Sequence, residues 1–368
     1  MPMLYHTGRR RAVIYAPRAF TRVEGKTGRD LVIFDGGLLW RVVAVVDPDN
    51  AGRDAGSVLG LGAKGVPVVA GAREAMEFEP EAVILGAAPV GGRLPDSWLR
   101  DVVFFLEAGV DVYSGLHTFI SDIPLAVRAA ERSGARIVDV RKPDPRYHRV
   151  WDGSVLSTRD AARILVAGTD CEAGKNVATF TLYKRMVERG LEACMLGTGQ
   201  TMLLLGARGL VVDAVPSDFV AGVVEKLVVE EYERGCRFII VEGQAAISHE
   251  AYGHVSLGIL RGVSPTHVVI AHVPGRRWRA AFNHSYKPLA AVEPREELAL
   301  IKTLNPNPHM AFSGIMLNTS SYSRGEAEEV ARAYTREYMV PALDPLRESV
   351  DPIIDRIVES MPERGMRR

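Results

Sequence analysis

Short apolar runs alternate with amphipathic stretches along the first 140 residues. The clearest run is Trp-Arg-Val-Val-Ala-Val-Val-Asp, which begins at Trp40. Comparable runs occupy 12–16, 66–69, 82–86, 110–113 and 136–140, and helical periodicity lies between them at 73–79, 96–107 and 124–133. Nearly unbroken β-branched and apolar runs are typical of parallel strands buried on both faces. The pattern predicts a doubly wound, Rossmann-like α/β domain.

A similar alternation begins again after residue 158. Strands are predicted at 164–167, 193–196, 238–241, 267–273 and 312–318, and helices at 177–189, 217–234, 325–338 and 351–360. Between the two series, Lys-Pro-Asp-Pro-Arg at 142–146 has two prolines and no periodicity, which indicates a linker. We therefore predict a Rossmann-like domain at 1–141, a linker at 142–158 and a second α/β domain at 159–368. A chain of 368 residues is expected to form two domains.

The second domain opens with a strand, a glycine loop and a helix. The apolar run 164–167 is followed by Gly-Thr-Asp-Cys-Glu-Ala-Gly-Lys, from Gly168 to Lys175, and then by the helical pattern. In this arrangement backbone N–H groups and a helix N-terminus face an anion, and the lysine adds a positive charge. The stretch predicts a P-loop NTPase-like domain that binds a phosphorylated ligand. An ordinary glycine-rich turn before a helix is the alternative.

The loop departs from the common phosphate-binding pattern in two ways. Five residues, not four, separate Gly168 from Gly174, and Asn176 follows Lys175 where Ser or Thr is usual. An amide oxygen is a weaker magnesium ligand, so the loop still indicates phosphate binding but gives less support for a bound magnesium ion. The longer loop resembles that of dethiobiotin synthetase. Gly60 to Gly65 fits the Gly-x-Gly-x-x-Gly pattern of dinucleotide-binding loops. Such a loop follows a strand, whereas this stretch precedes one, so it is better interpreted as a turn.

Polar residues follow several strands of the second domain. Ligands of α/β sheets bind beyond the strand carboxyl ends, so the loop, Gly197–Thr201 and Glu242–Gln244 are expected to converge. Glu242 is a candidate general base or metal-reaching acid, with a structural ion pair as the alternative. His249 is a second candidate base, and His272 ends another strand; either could instead be satisfied by a backbone carbonyl.

Further candidates lie in loops and at helix ends. The run from Pro274 to Arg279 contains three arginines, Arg276, Arg277 and Arg279, which suit a carboxylate or phosphate, although a solvated charged loop explains them equally. Asp218 is a candidate catalytic acid or a first-turn residue favoured by the helix dipole. Cys171 is a possible nucleophile, but loop packing is favoured because no activating histidine lies nearby in sequence.

Composition excludes several functions. Lys plus Arg and Asp plus Glu both number 45, which gives a nucleic-acid role no electrostatic support. No apolar segment reaches the roughly 18 residues of a membrane span, and the N-terminus lacks the features of a signal peptide, so we expect a cytoplasmic protein. Three widely spaced cysteines indicate neither a zinc site nor a disulfide framework, and Cys194 and Cys236 are expected to be core residues. Only two glutamines occur, which indicates a thermophilic source.

Five motifs taken together resemble one family. They are Gly-Thr-Asp-Cys-x-x-Gly-Lys at 168–175, Gly-Thr-Gly-Gln-Thr at 197–201, Asp-Phe-Val-Ala-Gly at 218–222, Val-Glu-Gly-Gln at 241–244 and Ser-His-x-x-Tyr at 248–252. The set looks like the family once known only as a domain of unknown function and typified by the D-glutamate N-acetyltransferase DgcN. The resemblance extends from about Ala12 to the C-terminus. It implies a Rossmann-like domain joined to a P-loop domain, and acetyl transfer from acetyl-CoA to the amine of a D-amino acid.

The resemblance implies roles for the candidate residues. The P-loop would hold the CoA phosphates without magnesium, through Gly168, Thr169, Asp170, Cys171, Gly174, Lys175, Asn176 and Gln200. Catalysis would fall to Glu242, His249 and Asp218, and substrate binding to Gln244, Ser248, Tyr252, His272, Arg276 and Arg277, with no metal. We expect a small-molecule amino acid substrate and a homo-oligomer. An ATP- and magnesium-dependent ligase or kinase, and a non-catalytic nucleotide sensor, remain alternatives.

Overall fold

The structure is a computed structural model that describes residues 8–280 and 289–361. The first seven residues, which are part of the N-terminal stretch inspected for a signal peptide, lie outside the described residues. The chain forms two compact units. One contains the described residues up to Asp144 together with Gln200–Ala214, and the other contains Pro145–Gly199 and the described residues from Val215 onward.

The first unit is the predicted Rossmann-like domain. Its strands are β1 (Arg10–Tyr15), β2 (Trp40–Val46), β3 (Val68–Val69), β4 (Ala82–Leu85), β5 (Asp111–Ser114) and β6 (Ile137–Asp139). Its first helices are α1 (Lys26–Ile33), α2 (Ala55–Val58), α3 (Ala72–Ala75), α4 (Asp96–Glu107) and α5 (Pro124–Ser133). All the strand pairs are parallel, in the order β3-β2-β1-β4-β5-β6, which is the doubly wound order of dinucleotide-binding folds. The Gly60 to Gly65 stretch lies in the connection between α2 and β3, starts with a turn at Gly60 and does not open a helix.

The remaining elements begin at residue 162. The strands are β7 (Ala162–Gly168), β8 (Ala193–Gly197), β9 (Arg208–Gly209), β10 (Phe238–Glu242), β11 (His267–His272), β12 (Ala311–Leu317) and β13 (Ala342–Leu343). The helices are α6 (Lys175–Glu188), α7 (Gln200–Leu204), α8 (Ser217–Glu233), α9 (Gly253–Val263), α10 (Pro294–Leu304), α11 (Arg324–Tyr338) and α12 (Asp351–Glu359). Within the second unit, parallel strands follow the order β13-β12-β11-β7-β10-β8, with the glycine loop leaving a central strand. None of the described helices combines the length and hydrophobicity that crossing a bilayer requires.

The segment Gln200–Ala214 follows β8 in the chain but packs with the first unit, which the sequence did not reveal. The indole Nε1 of the fully buried Trp40 donates to the carbonyl oxygen of Leu204 at 2.7 Å, and the hydroxyls of Thr27 and Thr201 lie 2.7 Å apart. The segment therefore supplies hydrogen-bond partners to buried polar groups of the Rossmann-like unit, which would otherwise be unsatisfied at a cost of about 1–3 kcal/mol each.

Two helices of the second unit, α9 and α10, were not predicted. In α9 the interior glycines lower helix propensity by about 1 kcal/mol each relative to alanine. Their close packing explains them, because a Cβ at Gly258 would lie 2.6 Å from Val220 Cγ1 and one at Gly262 would lie 2.5 Å from the Ala221 oxygen. The second helix, α10, begins with a capping box between Glu293 and Glu296.

The expectation of no disulfide was wrong for Cys194 and Cys236, although Cys236 is buried in the core as expected. The two residues form a disulfide, with their Cα atoms 5.9 Å apart and within the range that disulfides span. Cys194 lies in β8 opposite Ile239 of β10, and Cys236 lies two residues before the start of β10. The spacing of 42 residues in sequence hid this pairing, because the strand order brings the two ends together.

Candidate active site

The glycine loop joins β7 to α6 as predicted. Gly174 has φ +100° and precedes the first residue of α6, a backbone conformation that side chains rarely adopt. A Cβ at Gly168 would lie 2.9 Å from Lys175 Nζ, so a side chain here would displace the lysine. The Lys175 ammonium is buried and donates to the carbonyl oxygens of Asp170 at 2.6 Å and Ala245 at 2.9 Å. The ammonium group of Lys175 is therefore held against the glycine loop.

Glu242 holds the neighbouring loop in place. Its Oε2 accepts hydrogen bonds from the backbone N–H groups of Thr198 at 2.8 Å and Gly199 at 2.9 Å. Gln244 Nε2 donates to Thr198 Oγ1 at 3.0 Å, and a Cβ at Gly199 would lie 2.8 Å from that same amide nitrogen. Together with the contact between Lys175 and Ala245, these bonds bring the glycine loop, the end of β8 and the end of β10 to one edge of the sheet.

Asp170 ties the glycine loop to the segment that follows β11. Its Oδ1 accepts from the Cys171 backbone N–H at 2.7 Å, and its Oδ2 accepts from the Ala280 N–H at 2.7 Å and from Arg276 Nη1 at 3.1 Å. Arg276 also donates to the Cys171 carbonyl oxygen at 2.7 Å. The structure thus places Arg276 at the loop, where it pairs with a buried carboxylate. Arg277 is exposed and lies over the Trp278 ring.

A thiol and an imidazole meet beside the loop. Cys171 Sγ lies 3.6 Å from His249 Nε2, and Asp170 Oδ1 lies 3.7 Å from the same nitrogen. The backbone N–H of Ala251 donates to His249 Nδ1 at 3.2 Å, so the neutral ring carries its hydrogen on Nε2, facing the thiol and the carboxylate. Burial lowers the pKa of His249, which keeps the ring neutral near pH 7. The sequence hid this pair because 78 residues separate its members.

The same three side chains bear on metal binding. One atom each of Asp170, Cys171 and His249 lies within 4.8 Å of the others, a set that the sequence did not predict. A metal at His249 Nε2 requires the hydrogen on Nδ1, where the Ala251 N–H already donates. The hydrogen-bond pattern therefore favours a protonated Nε2 that donates to its neighbours over a metal-ligating one.

His272 links three elements behind the loop. Its Nδ1 lies 2.9 Å from Thr169 Oγ1, and its Nε2 lies 3.0 Å from the Tyr334 hydroxyl and 3.3 Å from Glu293 Oε2. The contact with His272 is the main cause of the lowered pKa of Glu293. Because both ring nitrogens have partners and the side chain is 2% exposed, His272 orders the loop through Thr169.

Two buried charged residues, Arg279 and Glu297, support the turn at 246–252. Arg279 was expected at the rim of the site with Arg276 and Arg277, whereas Glu297 was not predicted. Arg279 donates to the Ser248 carbonyl oxygen at 2.9 Å and the Thr169 carbonyl oxygen at 3.3 Å. Glu297 accepts from the backbone N–H groups of Ile247 at 2.5 Å and Ser248 at 3.2 Å, and burial raises its pKa. The sequence does not show the shared role of these two residues, because that role depends on the fold.

The other candidates have diverse positions. Asn176 is buried at the second position of α6. Tyr252 lies beside His249, with the two ring centroids 4.9 Å apart. Asp218 is exposed in the first turn of α8, the position that the dipole alternative describes. Gln200 belongs to the first unit, where its amide oxygen accepts from Arg141, so the predicted Gly197–Thr201 loop is divided between the two units.

Comparison with known proteins agrees with these two folds. Residues 149–354 match the P-loop domain of DUF1611, a domain of unknown function, and residues 48–143 match its N-terminal Rossmann-like domain. A D-glutamate N-acetyltransferase of Pseudoalteromonas sp is 32% identical over 281 residues, which cover 76% of this chain and 82% of the relative. Another from Tritonibacter scottomollicae is 29% identical over 284 residues, covering 77% and 83%.

A solved structure extends the agreement to the whole fold. The crystal structure of a DUF1611 family protein from Anabaena variabilis ATCC 29413 is 29% identical, with a TM-score of 0.86 over 96% of this chain and all of that one. The match spans both the doubly wound unit and the P-loop unit. The chain therefore belongs to the DUF1611 family, whose members join an N-terminal Rossmann-like domain to a C-terminal P-loop domain.

Proposed function

We propose that this protein is an N-acetyltransferase that moves an acetyl group from acetyl-CoA to the amine of a D-amino acid such as D-glutamate. The observation that carries the proposal is the similarity to two relatives named D-glutamate N-acetyltransferase, which extends over more than four fifths of each relative. The reaction needs an anion site, a base for the amine and donors for the developing oxyanion. The loop edge of the second unit has groups suited to all three.

The anion site is the glycine loop with Lys175. The reaction brings two kinds of anion to it, the phosphates of CoA and the carboxylates of the amino acid. CoA phosphates in the loop are the arrangement that the sequence suggests, and Asn176 agrees with a ligand bound without magnesium. A loop that holds the amino acid carboxylate is the second arrangement, and variants of Lys175 separate the two.

Glu242 is the base that we retain of the two candidates. His249 carries its hydrogen on Nε2 and receives one at Nδ1 from Ala251, so it is suited to donate a hydrogen bond and not to accept a proton. Glu242→Gln keeps an oxygen that can accept from Thr198 and Gly199 but removes the carboxylate charge. We expect kcat to fall by roughly 100-fold or more with the fold intact, and full activity would remove Glu242 as the base.

Calorimetry and turnover test the proposal together. We expect acetyl-CoA to bind without magnesium, and CoA thiol to be released over many turnovers when D-glutamate, but not L-glutamate, is added. Lys175→Met should weaken binding of the anion in the loop by roughly 10- to 100-fold, whereas Lys302→Met, an exposed lysine in α10, is the matched control. A weaker acetyl-CoA affinity assigns the phosphates to the loop, and a raised KM for D-glutamate assigns the carboxylate.

A nucleotide-dependent ligase or kinase is the second candidate, because the loop resembles that of dethiobiotin synthetase. Magnesium-dependent ATP binding, with no CoA thiol released from acetyl-CoA by any D-amino acid, would replace the acetyltransferase by this enzyme class. Binding of acetyl-CoA or ATP without turnover would instead indicate a nucleotide sensor.

A further inference from the structure

We propose that Cys171 is the covalent acetyl carrier of this protein, with His249 as the donor that stabilises its thiolate. The inference rests on the proposed acetyl transfer and adds a nucleophile to it. The two side chains lie 3.6 Å apart, and Cys171 is half-buried in the loop and so retains access to solvent. A cysteine becomes a strong nucleophile when its thiolate is stabilised by an adjacent donor or positive charge.

Several groups around Cys171 favour the thiolate. The His249 Nε2 hydrogen faces the sulfur, because Nδ1 accepts from the Ala251 backbone. The loop leads into the N-terminus of α6, whose positive dipole end favours an anion. The opposing charge is Asp170, and Arg276, 3.1 Å from Asp170 Oδ2, offsets that carboxylate.

The reaction balances in two steps. In the first, the Cys171 thiolate attacks the acetyl carbon of acetyl-CoA, a new sulfur–carbon bond forms, and CoA leaves as its thiolate. In the second, the neutral amine attacks the Cys171 thioester, the amide bond forms, and the Cys171 thiolate leaves towards the His249 N–H. Glu242 takes up the proton that the amine loses and releases it to solvent, and a proton from solvent converts the CoA thiolate to the thiol. Both thioesters have similar energies, so the exchange needs no other reactant.

The length of the pantetheine arm of CoA limits how far its phosphates can lie from the acetyl group. The pantetheine arm contains about as many backbone bonds as four residues of polypeptide, so its thioester lies up to roughly 14 Å from the pyrophosphate. With an extended arm and the thioester at Cys171, the CoA phosphates would bind at about that distance from the loop. The loop amides and Lys175 are then left for a carboxylate of the amino acid, which brings its amine beside the acetylated sulfur.

The test is to trap the acetylated protein. The full chain is mixed with acetyl-CoA without an acceptor, quenched with acid and measured by intact mass and peptide mapping. We expect one acetyl group on the Cys171 peptide, and its loss on addition of D-glutamate at a rate no slower than kcat. Cys171→Ala should carry no acetyl group and lose about 1,000-fold or more in kcat.

His249 variants test the donor. His249→Leu should slow acetylation by roughly 100-fold, by analogy with loss of one transition-state donor, and His249→Gln, whose amide can donate, should recover part of the rate. The exposed His254 supplies the control, since His254→Leu should acetylate at the wild-type rate. Equal rates for the His249 and His254 variants would overturn the donor role.

The outcomes separate this inference from the proposed function. If the wild type acetylates D-glutamate but no acetyl-Cys171 accumulates and Cys171→Ala keeps kcat within tenfold, the inference fails and direct transfer stands. An acetyl group on Cys171 that D-glutamate removes more slowly than kcat also overturns the inference. If the wild type neither becomes acetylated nor turns over, both proposals fail.

Discussion

Reduction of the disulfide between Cys194 and Cys236 should destabilise the second unit. The bond closes a loop across 42 residues of sequence. In the chain-entropy model this closure lowers the entropy of the unfolded state by about 13 cal/mol/K, which corresponds to about 4 kcal/mol at 25 °C. We expect the reduced protein, and the Cys194→Ser/Cys236→Ser variant, to lose up to this free energy of unfolding.

The assay combines thiol titration with urea denaturation. The oxidised chain, denatured without reductant, should give one titratable thiol, that of Cys171, and the reduced chain should give all three. The urea midpoint of the second unit should fall on reduction, while the Cys171→Ala variant, whose disulfide is intact, should unfold near the wild-type midpoint. Three thiols in the oxidised chain would show that the bond does not form. A loss below about 1 kcal/mol with the bond demonstrated would refute the entropic account.

Three further changes have expected outcomes. Burial lowers the pKa of His267 to about 4, so between pH 6.5 and 4 only the unfolded state gains a proton at this residue. The free energy of unfolding, measured by urea denaturation at a series of acid pH values, should therefore fall by up to about 3 kcal/mol. His267→Gln should remove this contribution to the dependence of the free energy of unfolding on pH. Gly199→Ala should displace the Gln244 amide and lower kcat by roughly 10- to 100-fold, and wild-type turnover would contradict the described packing. Gly262→Ala should lower the free energy of unfolding by about 1–3 kcal/mol despite its better helix propensity, because its Cβ meets the Ala221 oxygen; a more stable variant would refute this.

The sequence predicted those features that depend on local pattern. The apolar run before Gly168 and the lysine after Gly174 placed the P-loop between β7 and α6, and strand ends placed Glu242 at the same edge. Local pattern is sufficient there because strand polarity and loop length determine where those groups emerge.

Features that depend on long-range contacts were not predictable in the same way. Cys171 and His249 are brought together by the turn after β10, whose path has no signal in the sequence. The disulfide required the strand order, which places β8 beside β10. The helix α9 was missed because Gly258 and Gly262 serve packing against α8 at the expense of helix propensity.

The position of Gln200–Ala214 has a consequence for how the chain folds as it is synthesised. A ribosome that has just released Asp144 has produced every strand of the first sheet, yet 70 more residues must follow before Ala214 emerges. At 5–20 residues per second this interval lasts roughly 4–14 s. Until Leu204 emerges, the nascent Rossmann-like unit lacks the carbonyl group that accepts from the Trp40 indole, and a chain that ends at residue 144 would never gain this hydrogen-bond partner.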